Sequence, residues 1–196
     1  MSEEKPCPIS HEQVSTKNWG EIFGEPKPVH IYDCPRCGQF AVALLHGLAI
    51  KDIPNEERRK VAAYLRERNL QKQKEEIVVI GFGDQPQYSK APTAVWITWE
   101  DAVAAFPKTP AEQLDRTLLN LARRSIYLGS PIVIDAYSEP LAFAENNEAM
   151  WFIFKQLIDD GLVKPYGSEI SRLVVTVSGL DRVASLQSSM VLEKKT

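Results

Sequence analysis

The residues best suited to chemistry in this 196-residue chain are its three cysteines, Cys7, Cys34 and Cys37. Cys34-Pro35-Arg36-Cys37-Gly38 sets two thiols two residues apart, a spacing at which both can grip one tetrahedral zinc ion. Gly38 permits the tight turn that aims backbone amides at the sulfurs, and Phe40 would cover it. Cys7-Pro8 repeats the Cys-Pro opening, but position 10, where a second cysteine would follow, is Ser. His11 comes next. The expected site is therefore a structural zinc held by Cys7, His11, Cys34 and Cys37, with His30 and His46 as rival fourth ligands. An odd cysteine count with one close pair makes a poor disulfide framework. A redox C-x-x-C would want a strand running into a helix, whereas Gly38-Gln39-Phe40 reads as a turn into a strand.

No catalytic set accompanies these thiols. Gly81-Phe82-Gly83-Asp84 follows an apolar run, but the third glycine of a dinucleotide fingerprint is replaced by Pro86, which also removes an amide donor, so a plain turn is expected. There is no G-x-S-x-G, P-loop or H-E-x-x-H. The pairs Glu56-Glu57 and Asp159-Asp160 are adjacent in sequence, so their carboxylates point to different faces of a helix. The expectation is a protein that is not an enzyme.

Composition narrows the class further. A chain with 44% hydrophobic and 25% charged residues buries an ordinary core without disulfides. A net charge of −3 offers no general basic excess, so nucleic-acid binding would need a local patch. Met1-Ser2-Glu3-Glu4-Lys5 lacks the basic-then-apolar pattern of a secretory leader, and the apolar stretch 40–50 is too short to span a bilayer. A cytoplasmic protein with no membrane association is expected.

Several elements must position the cysteines. Residues 1–30 read as irregular, with short strands at 31–32 and 40–45 flanking the knuckle. Residues 55–68 read as a helix with Val61, Ala62 and Leu65 on one stripe. A charged connector (70–76), a β-branched strand (77–82), a loop (83–92), a short strand (94–98) and a short helix (99–106) follow. Thr109-Pro110-Ala111-Glu112 combines an N-cap, a first-turn proline and a capping-box glutamate. The helix it starts carries Leu114, Leu118, Leu121 and Ala122, and ends at Arg123-Arg124. Then come a strand (131–136), a helix (147–160) stopped by Gly161, two strands (162–166 and 173–177), a helix capped by Ser178 (179–186) and a frayed tail. Helix, strand, helix, hairpin, helix is the order of a winged helix-turn-helix, the hairpin being the wing; a generic α+β domain is the alternative. The chain thus reads as α+β in three parts: a zinc-ribbon-like module over 1–50, a mixed α/β connecting segment over 51–106 and a winged-helix-like domain over 107–196.

The helix at 147–160 takes the place of a recognition helix. Met150, Trp151, Phe154, Leu157 and Ile158 form its apolar face; Glu148, Phe152, Lys155 and Asp159 form the other. Groove-reading faces carry Arg, Lys, Asn or Gln. An acidic face with Phe152 suits a protein or ligand contact, unless Phe152 packs under the wing. Phe152 and Lys155 are the candidate partner-binding residues. The basic residues Arg58, Arg59, Lys60, Arg66, Arg68, Arg123 and Arg124 keep a DNA-binding regulator as the alternative.

Four stretches together resemble a bacterial family. They are Cys34-Pro35-Arg36-Cys37-Gly38; Thr109-Pro110-Ala111-Glu112-Gln113-Leu114-Asp115 with Leu118-Leu119-Asn120-Leu121-Ala122; Asp159-Asp160-Gly161-Leu162-Val163; and Thr176-Val177-Ser178-Gly179-Leu180-Asp181-Arg182-Val183. Nearly the whole chain is similar to the N-terminal region of proteins whose C-terminal half is a TIR-like or nucleoside-deoxyribosyltransferase-like effector domain of the antiphage-defence type. Ser10 departs from the pattern, as does the last stretch, which in that family more often reads Leu-Thr-x-x-Gly-Trp. The resemblance implies a non-catalytic, zinc-containing adaptor or sensor subunit of a defence or stress system. Such a subunit would act on a protein partner, for instance a separate effector chain, or on a small trigger.

Overall fold

The computed structural model describes residues 3–20, 29–71, 76–85 and 93–193. The chain is a mixed α+β protein of two compact units, Met1–Phe106 and Pro107–Thr196.

The first unit is built on one six-stranded sheet in chain order: β1 (Glu3–Pro6), β2 (Gln13–Asn18), β3 (Val29–Cys34), β4 (Gly38–Ala43), β5 (Ile77–Gly81) and β6 (Ala94–Thr98). The first four strands are antiparallel; β5 runs parallel to β4, and β6 parallel to β5. A parallel neighbour needs a long crossover, and between β4 and β5 the chain forms α1 (Leu44–Ile50) and α2 (Asn55–Gln71). α3 (Trp99–Ala104) follows β6, its first turn capped by Thr98, whose hydroxyl accepts from the Asp101 amide at 3.0 Å. Every residue of β5 is buried, as the unbroken run Ile-Val-Val-Ile requires of a strand covered on both faces.

Strand alternation sorts this core into two clusters. Tyr32, Cys34, Phe40, Val42, Val78 and Ile80 lie with Val61 and Leu65 of α2, Trp99 and Ala102 of α3, and Cys7 and Cys37. The intervening residues Val29, Ile31, Ala41, Ile77 and Val79 lie with Trp19. The cysteines are thus set inside the larger of the two clusters.

Three expectations need correction here. The segment expected to be irregular holds β1 and β2. Their apolar signal is weak because only alternate residues of β2, Val14 and Thr16, are buried, while β1 is an edge of charged residues and proline. Residues 44–50 form a helix rather than continuing a strand. Residue 50 is no module boundary: Phe40 stands opposite Val78 and Ala41 opposite Val79, so segments on either side of it share one sheet. The end of the loop expected at 83–92 lies outside the described residues.

The second unit comprises α4 (Pro110–Arg124), β7 (Ile132–Val133), a 3-10 turn (Glu139–Ala142), α5 (Asn147–Asp159), β8 (Val163–Tyr166), β9 (Glu169–Val175) and α6 (Val177–Glu193). Its antiparallel sheet has the order β7-β9-β8. The Thr109 hydroxyl accepts from the Glu112 amide at 3.1 Å, and the Glu112 carboxylate accepts from the Lys108 amide at 2.9 Å. Asn146 caps α5 at 2.8 Å. Thr176, not Ser178, caps α6 by accepting from the Gly179 amide at 3.0 Å. The strand expected at 131–136 is only two residues long, because the Asp135 carboxylate accepts from the Tyr137 amide and the Ser138 hydroxyl and bends the chain into a turn. α6 continues through the segment expected to fray. Leu118, Leu121, Ile132, Met150, Phe154, Leu157, Val163, Leu173 and Val175 pack together, and Arg182 grips Asp115 through two hydrogen bonds of 3.0 and 2.8 Å, tying α6 to α4. Among the described residues, no helix is long and apolar enough to cross a membrane.

Candidate metal centre

Two hairpin turns bring the cysteines together. One joins β1 to β2 through Cys7-Pro8-Ile9-Ser10-His11; the other joins β3 to β4 through Cys34-Pro35-Arg36-Cys37-Gly38. The turns repeat one another. The Ser10 amide donates to Cys7 Sγ and the Cys37 amide donates to Cys34 Sγ, each at 3.4 Å. The fifth residue of each turn has a left-handed backbone, with φ of 62° at His11 and 83° at Gly38. His11 therefore occupies the place of the knuckle glycine, and Ser10 occupies the place of the fourth cysteine. The two turns are also joined by an ion pair of 3.4 Å from Arg36 to Glu12.

The sulfurs of Cys7, Cys34 and Cys37 lie within 4.8 Å of one another, and the three residues are at most 2% exposed. The Ser10 hydroxyl is 3.3 Å from Cys34 Sγ. Hydrogen bonds from Cys37 and then Cys7 hold the Cys34 thiol far below its ordinary pKa, with Ser10 assisting. The neighbours move the other way. Burial pushes Cys37 well up, and the hydrogen bond to Cys34 does most to raise Cys7. The three thiols thus share one hydrogen-bonded, buried cluster in which ionising one opposes ionising the others. A metal ion is what would let all three sulfurs ionise.

Helix α2 supports the second knuckle from behind. Asn69 Nδ2 donates to the carbonyls of Cys37 at 3.4 Å and Leu65 at 2.8 Å, and its Oδ1 accepts from the Gln39 amide at 3.0 Å. A Cβ at Gly38 would come within 2.6 Å of Asn69 Cγ, so this position needs glycine for space as well as for its φ. The sequence reading missed Asn69; thirty residues separate it from the knuckle, and an asparagine late in a helix carries no local signal.

The histidines lie elsewhere. His11 is exposed and outside the sulfur group; the little burial it has and the charge of Arg58 lower its pKa. His30 sits on β3, 3.5 Å from Lys5 Nζ and edge-on to Tyr32. His46 packs against Phe82 and Trp96. The structure thus brings together Cys7, Cys34 and Cys37, a set that could hold a metal ion, and adds Ser10 in place of a histidine. The sequence reading places Ser10 at the fourth-cysteine position but passes over it for the neighbouring His11.

In the second unit Phe152 is 63% exposed on α5 and does not pack under the hairpin. Lys155 donates to Asp159 at 2.6 Å. Met150, Ile153, Phe154 and Leu157 are the buried residues of this helix.

No family model matches the chain, and no curated protein or solved structure matches it.

Proposed function

We propose that this chain is a non-catalytic adaptor or sensor subunit. A structural zinc ion organises its first unit, and its second unit, a winged-helix-like domain, makes the contact with a protein partner. Three sealed thiols on paired, zinc-ribbon-like turns support the zinc reading, since buried thiolates with amide donors suit a closed structural site. Cys7, Cys34 and Cys37 would hold the ion, with the Ser10 hydroxyl or a water in the fourth position.

The observation that carries the adaptor reading is the outer face of α5. Phe152 stands 63% exposed there, while Lys155 is tied to Asp159. A phosphate-reading face would present free cations instead. Nine of the ten large exposed hydrophobic residues among those described belong to the second unit, including the consecutive Ile126, Tyr127 and Leu128. Apolar surface concentrated in this way marks protein contacts. The family resemblance supports a bacterial defence or stress setting for that partner.

The test uses the full chain as bait in its native host, beside Phe152→Ala. The expected result is a partner held by the wild type and lost by the variant, with unchanged thermal stability, since a buried aromatic anchor contributes about 2 kcal/mol or more to an interface. Lys155→Ala should change little. The element order of the second unit supports a second reading, a DNA-binding regulator. Duplex binding that falls steeply with salt and is abolished by Lys155→Ala would replace the adaptor reading with that one.

A further inference from the structure

Beside the first knuckle lies a cavity of about 220 Å³ that the metal reading does not use. Its walls come from the knuckle turns and the start of α2, and its polar lining is Ser10, His11, Arg36, Asn55, Arg58 and Arg59. Among the described residues, no carboxylate belongs to that lining. Arg36 is shared with Glu12. Arg58 is different: only 8% of it is exposed, its Nη2 donates to the neutral Asn55 side chain, and its buried Nε and Nη1 have no hydrogen-bond partner. A cation buried without a counter-charge is among the most costly arrangements in a fold. An arginine stays charged at any physiological pH, so it cannot escape that cost by losing its proton.

We propose that this cavity binds a phosphate-type oxyanion, either free phosphate or the phosphoryl end of a small metabolite. Guanidinium groups match tetrahedral oxyanions with forked, charge-assisted hydrogen bonds. Arg58 at the wall and the exposed Arg59 beside it supply the charge, and the Asn55 amide supplies a further donor. The volume is below the roughly 300–1,000 Å³ of pockets that enclose a drug-sized ligand, so the cavity takes the anionic head group and leaves the rest of a longer molecule outside. The site belongs to the first unit alone and does not depend on the partner assigned to the second.

The experiment is a calorimetric titration of the full chain with inorganic phosphate, with ionic strength held constant by sodium chloride, alongside thermal melts in the same buffers. Saturable binding is expected, with a rise in melting temperature that chloride does not reproduce. Arg58→Gln should weaken phosphate binding about tenfold or more, the scale of a lost charge-assisted hydrogen bond. Without phosphate, Arg58→Met should melt at or above the wild-type temperature, because it removes an uncompensated buried charge. If neither variant folds, Arg59→Gln, on the exposed side, should weaken binding about threefold. Tighter binding of glycerol 3-phosphate than of phosphate would identify a head-group site; equal binding would identify free phosphate as the ligand. No response to phosphate beyond that to chloride, or the same affinity in every folded arginine variant, would overturn the proposal.

Discussion

The two units reach stability by different routes. In the second, local signals bound the elements: its three helices have side-chain caps at Thr109, Asn146 and Thr176, and its hairpin closes on itself. Its buried cluster contains no cysteine. In the first, partners come from far apart. Cys7 meets Cys34 and Cys37, Asn69 reaches back to Cys37 and Gln39, and β4 waits for β5 across two helices. Its main cluster includes the three thiols. Local chemistry specifies one unit, and the other depends on long-range closure that a metal ion would hold.

Removing the metal is the strongest test of that difference. Cys34→Ser, or a chelator, should unfold the first unit as a whole, because the knuckles share its core; structural zinc supplies on the order of 10 kcal/mol in isolated fingers. The second unit should survive, and limited proteolysis should release a stable fragment starting near residue 107. Simultaneous loss of both units would erase the distinction.

Phe154→Ala makes the converse cut. Phe154 is fully buried, and its truncation should lower the stability of the second unit by about 3–5 kcal/mol. Metal content per chain, measured by elemental analysis, should stay at the wild-type value. A loss of metal in this variant would mean that the units are coupled.

Asn69→Ala sharpens the account of the first unit. It leaves the Gln39 amide without its acceptor and should cost about 1–3 kcal/mol. It should also weaken metal binding by roughly tenfold or more, the usual scale for a group that orients ligands from behind. Unchanged affinity in a competition titration with a chromophoric chelator would reduce Asn69 to a helix-end contact.

This division also sets how much could be read from the chain alone. Thr109-Pro110 with Glu112, and Gly161, are local signals, and the helix ends they mark are where they were expected. The C-x-x-C pair was legible for the same reason, and its link to Cys7 because Cys7-Pro8 repeats the Cys-Pro opening. The strands β1 and β2 were not, since an edge hairpin with one solvated face shows almost no apolar run. The choice of His11 followed residue type over backbone role: histidine is the better ligand, but position 11 takes the left-handed step that Gly38 takes in the other turn. The sheet of the first unit was hidden because the run Ile77-Val78-Val79-Ile80 marks β5 as a buried strand without marking β4 as the strand it pairs with.

The parallel placement of β5 and β6 also has a consequence in time. On the ribosome, Cys34 and Cys37 emerge about sixty residues before β6 is complete, which at about 5–20 residues per second is several seconds. For most of that interval Val78 and Ile80, and for all of it Trp99, which share the mature cluster with the sulfurs, are not yet there to exclude water and oxidants. A metal ion of the kind proposed would have its easiest access to the thiols in that interval, before the covering residues arrive.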